Sequence, residues 1–160
     1  MSRYVDNNEV LLDSTGDADR YDGSTWLGSR LAQESLAEAI GLLERTLEAS
    51  KVADPWYAQL GSATRASMLA IEHCLDAVEV TGGMRDGVCR NEPGLLPRLE
   101  QLETALSRAL IESWEAKEAS SQAQAGLARR IEVLVADLRA IAEREFDIVH
   151  ATLNTVGGEG

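Results

Sequence analysis

Glu145 stands in the middle of an otherwise apolar series, Leu127, Ile131, Leu134, Leu138, Ile141, Ile148 and Val149, spaced three and four residues apart. A carboxylate that a helix turns toward its neighbours needs a partner or a chemical task. One such task is metal binding, because four-helix bundles build metal centres from inward carboxylates and histidines on facing helices. The chain has two histidines, His73 and His150. Counted back from the predicted turns, His73, Glu103 and Glu145 stand at similar heights, with Gln33 near the same level. The pairs His73/Asp76 and Asp147/His150, each three apart, have a spacing that can share a metal. At 100° per residue Glu145 falls near the centre of its stripe, Glu103 at the edge of its own, and His73 roughly 120° from the middle of its helix's stripe. His150 lies similarly off-axis. The simpler expectation is therefore an ion pair between Glu145 and an arginine at the same end, Arg98 or Arg85, which would cost about 3–5 kcal/mol to break. On that reading Glu145→Gln lowers the melting point.

Four helices would carry these residues. The first is predicted from Ser24 to about Lys51, with Leu36, Ile40, Leu43 and Leu47 on one face and Leu27, Leu31 and Leu42 on the opposite side. That second stripe asks for a cover, either the N-terminal segment or another subunit. The second helix opens with Asp54 as N-cap and Pro55 at its first position, carries Trp56, Leu60, Ile71, Cys74 and Val78, and stops at Gly82-Gly83 after Val80. Met84 to Pro93 lacks periodicity and reads as a loop. The third helix starts near Leu95 to Pro97, with Leu99, Leu102, Leu106, Leu110 and Trp114 in near-heptad spacing, and ends around Ser120-Ser121. The fourth runs from about Gln122 to Asn154. No strand pattern or repeat interrupts them. The expected fold is an all-α, up-down-up-down four-helix bundle over residues 24–156, with a flexible acidic arm at 1–23 that has an apolar patch at Val10, Leu11 and Leu12, and a disordered tail at 157–160.

Composition narrows the function. Fifteen basic against 27 acidic residues give a net charge of −12, which repels nucleic-acid phosphates and anionic lipid surfaces. No apolar run approaches the roughly 18 residues of a membrane span, and the N-terminal sequence does not read as a secretory signal, so a cytoplasmic location is expected. Cys74 and Cys89 match neither a disulfide framework nor a zinc pattern. No nucleophile–base pair or phosphate-binding glycine loop is present, so the chain does not read as an enzyme.

Residues 65 to 160 resemble the hemerythrin-like, HHE-type four-helix bundles of bacteria. The resemblance lies in His73 followed by Glu79 and Gly82-Gly83, in the leucine-rich GLLPRLEQLETAL that holds Glu103, and in a last helix with Glu145 before a glycine tail. Thr104 stands where the family has the histidine of a Glu-His pair, and Ile141 where it has the histidine four before the glutamate. The resemblance implies iron and oxygen binding, here with a reduced ligand set of His73, Glu103, Glu145 and His150. Two functions follow as expectations. One is a non-catalytic bundle of hemerythrin-like ancestry with no cofactor, acting on a protein partner, itself or another subunit, through Leu27, Leu31 and Leu42. The other is a metal or oxygen sensor.

Overall fold

The computed structural model describes the backbone of residues 18–49 and 53–159 and the side chains of residues 28–49 and 55–153. Its long helices are α1 (Ala18–Glu48), α2 (Ala53–Glu79), α4 (Leu96–Ser121) and α5 (Leu127–Glu159). Between α2 and α4 lie a short helix, α3 (Met84–Asn91), and a 3₁₀ turn at Pro93–Leu95. The protein is an all-α four-helix bundle, and the described residues hold no strand.

Each long helix packs against the next, and α5 returns to α1. Side-chain pairs fix their directions. Trp56 Nε1 donates to the Thr46 carbonyl at 3.0 Å, and the Cys74 thiol lies 3.6 Å from the Ala32 carbonyl, so numbers rise along α2 as they fall along α1. Across α4 and α5, Glu112 meets Asp137 while Ala105 and Arg144 line the same cleft. Arg139 on α5 donates to Glu44 on α1. α1 and α2 therefore run antiparallel, and so do α4 and α5.

The apolar stripes become the core. Leu36, Leu43, Leu60, Ile71, Leu99, Leu102, Leu106, Ile131 and Leu138 have no exposed surface. Full burial of such side chains stabilises by about 1.5–3 kcal/mol each relative to exposure, which is what holds helices with few interhelical polar bonds together. Trp114 departs from its expected place, at 53% exposure. Eight residues after Leu106 a helix has turned about 80° too far, and Ser113 takes the inward position instead.

Several boundaries differ from the sequence reading. The backbone of α1 is helical from Ala18, six residues before Ser24. The expected arm and its Val10, Leu11 and Leu12 lie outside the described residues up to residue 17. Asp54 falls inside α2 rather than at its cap. α5 begins at Leu127 because residues 122–126 end α4 in a Schellman turn: Ala123 adopts φ 50°, and the Gln124 N–H reaches the Ala119 carbonyl at 3.1 Å. α5 continues past Asn154 through Gly157 and Gly158 to Glu159, where a disordered tail was expected.

The expected loop from Met84 to Pro93 is the largest difference. Met84, Gly87 and Val88 recur at helical spacing, and all three are buried where α3 lies across the end of the bundle, touching all four long helices. The turn before it is built by glycines. Gly82 takes φ +77°, and its N–H donates to Asp86 Oδ2 at 2.7 Å.

Candidate functional site: a buried carboxylate under a helical cap

α5 carries Glu145 into the interior, where it has no exposed surface. Its Oε1 accepts a long hydrogen bond from the Cys74 thiol at 3.8 Å, and its Oε2 has no hydrogen-bond partner among the described residues. No cation among the described residues forms an ion pair with it. The expected ion pair is therefore absent: Arg98 is exposed, and Arg85 is held elsewhere.

The electrostatics follow from that isolation. Burial raises the Glu145 carboxyl from 4.5 to about 7, and the thiol hydrogen bond offsets only part of the rise. Burial first, and then the charge on Glu145, push the Cys74 thiol above its ordinary range. Cys74 thus stays a thiol, and a thiol is a poor nucleophile and a poor metal ligand. What the pair can do is hold a proton near neutral pH. One turn apart on α1, Ser29 Oγ and Gln33 Nε2 are likewise buried atoms without a hydrogen-bond partner among the described residues.

Arg85 is the hub of a separate group at the capped end. Its Nε donates to Glu79 Oε2 at 3.1 Å and its Nη2 to Glu103 Oε1. The two carboxylates also lie close enough to act on each other. Burial, followed by the hydrogen bond to Glu79, raises Glu103 to about 7, and the same hydrogen bond lowers Glu79. Two acids competing for one arginine explain why Arg85 is not available to Glu145.

The four residues of the expected metal set do not meet. His73 is exposed on α2, and His150 is exposed on α5, stacked on Phe146 at 5.5 Å between ring centroids. Glu103 belongs to the Arg85 group and Glu145 to the interior. No group of three or more His, Cys, Asp or Glu side chains among the described residues is placed to hold a metal. The residues present do not fit an iron centre. The helical wheel already set both histidines off their stripes, and the structure leaves them there.

Of the expected interaction stripe, Leu31 is 48% exposed, while Leu42 is half-buried and packs against the core, and the Leu27 side chain lies outside the described ones. Cys89 is exposed on α3 rather than in a loop. One cluster was missed altogether: Arg108 and Glu112 on α4 facing Asp137 and Arg144 on α5. Its signal was present as a four-residue and a seven-residue spacing, which only the antiparallel register brings together.

No helix among the described residues is long and apolar enough to cross a membrane. No family model matches the chain, and no curated protein or solved structure matches it either.

Proposed function

We propose that this protein is a non-catalytic helical bundle that works by docking a protein partner, a second copy or another subunit, on the outer flank of α1 and α2. The observation that carries the reading is the set of large aliphatic side chains left to solvent there: Leu31 at 48%, Leu69 at 58% and Val80 at 57% exposure. Helical spacing puts Leu31 on the side of α1 that turns toward α2, and Leu69 and Val80 on the side of α2 that turns toward α1. An apolar flank of this kind, on a chain that is otherwise strongly acidic, is the usual mark of a protein interface. The chemistry of the interior agrees with a role outside catalysis, since its one thiol is protonated and its carboxylate is sealed from solvent.

Sedimentation of the full chain tests this. A dimer or larger species that falls to monomer in Leu31→Asp/Leu69→Asp, with the far-ultraviolet circular dichroism unchanged, is the expected result. A monomeric mass for both forms, purified and in extract of the source cells, overturns it.

A further inference from the structure

On another seam of the bundle, α4 and α5 leave a cleft of about 130 Å³ between them. It opens past Arg108 and Arg144, which line both, into a wider and shallower recess. The cleft has a simple origin in the sequence. Two antiparallel helices normally fill their seam with interlocking large side chains, but here Ala109 and Ala140 occupy central positions and leave a gap too shallow for a core and open to solvent.

Four charged side chains border that gap in a defined order. At one end Glu112 and Asp137 face each other across the seam, close enough to hydrogen-bond. Burial first, and then this contact, raise the Glu112 carboxyl above its ordinary value. This end of the cleft therefore offers carboxylate oxygens as acceptors. Arg108 follows one turn along α4, and Arg144 lies further still along α5, so the guanidinium groups occupy the other end. Neither arginine forms a hydrogen bond or a close ion pair among the described residues, although Arg108 is near enough to Glu112 for its charge to offset part of that carboxyl's rise. Both are solvent-exposed along the rim of the cleft. Guanidinium groups in that state present donors matched to a carboxylate.

We infer that the α4–α5 cleft binds a small amino-acid zwitterion, its carboxylate on Arg108 and Arg144 and its ammonium on Glu112 and Asp137. Charge and size both select this class. A phosphate dianion gains the arginines but meets the acidic end, and a simple amine gains the acids but meets the guanidiniums. A molecule that carries both charges a few ångströms apart satisfies the two ends at once. The alanine floor accepts a short aliphatic chain. This site is independent of the docking flank on α1 and α2, so either can fail without the other.

The test is a titration of the ¹⁵N-labelled full chain with L-alanine and β-alanine, with acetate, ethylamine and inorganic phosphate as single-charge probes. The expected result is saturable shifts in the amides of residues 105–112 and 137–144 with an amino acid, at millimolar affinity or better. Arg108→Gln/Arg144→Gln is expected to weaken that binding about tenfold or more. Glu112→Gln/Asp137→Asn should weaken the amino acids while leaving acetate unchanged. All four side chains lie at the surface of the seam, and circular dichroism checks that the variants fold. Absence of saturable shifts with either amino acid, shifts that persist in the double arginine variant, or tighter binding of phosphate than of the amino acids would each overturn the assignment.

Discussion

Glu145→Gln is expected to stabilise the bundle by about 3 kcal/mol above about pH 8 and to leave it unchanged below about pH 4. The sign follows from the raised carboxyl. Folding lifts it from 4.5 to about 7, so between those values the native state holds a proton that the unfolded chain has released. Stability is full below the unfolded value, falls as pH rises through this window, and is flat above it. The amide of glutamine has nearly the same shape and never ionises, so it escapes the loss. The gain corresponds to a rise in Tm of roughly 5–10 °C for a chain of this length. Thermal melts of both proteins across the pH range measure it. An ion-paired Glu145 would give the opposite sign, with the variant less stable at pH 8, and that outcome would contradict the buried geometry.

The second large effect comes from the turn under the cap. A Cβ at Gly83 would lie 2.5 Å from the Ala77 carbonyl oxygen, 2.7 Å from that of Val80 and 2.8 Å from Val80 Cγ1. Two of the three are backbone atoms of the preceding chain and cannot swing aside. The Gly83 N–H also donates to the Val80 carbonyl at 2.7 Å, so any shift breaks a bond as well. Gly83→Ala therefore displaces the start of α3 and pulls Met84 and Val88 from fully buried seats. A loss of about 2–3 kcal/mol is expected, seen as a lower urea midpoint. Gly94→Ala is the matched control, because nothing lies within 4 Å of its added Cβ. It should change stability by less than about 0.5 kcal/mol. Equal effects of the two substitutions would show that the close approach at Gly83 is not what holds the cap.

Much of this architecture is legible in the chain, for a physical reason. Three- and four-residue spacing of Leu, Ile and Val over thirty-residue spans has a single economical reading, and Glu145 was marked as interior by its place in such a series. Short-range signals were less reliable. α3 reads as a loop in the sequence because an eight-residue segment with Gly87 in its middle has only Met84 and Val88 to announce a buried face. The partner of Glu145 could not be read either. Arg85 and Arg98 stand at a suitable height, but which acid an arginine joins depends on distances across the bundle, and Glu79 and Glu103 are nearer. The α4–α5 cleft lay beyond the pattern for a different reason: alanines read as ordinary helix residues, and a gap exists only once two helices are set side by side.

The cap also implies an order of events. Eight residues are too few to hold a helix by themselves in water, and α3 rests on all four long helices at once. Until those helices have come together there is no surface on which it can form. Formation of the helix at residues 84–91 thus waits on the packing of the long helices beneath it.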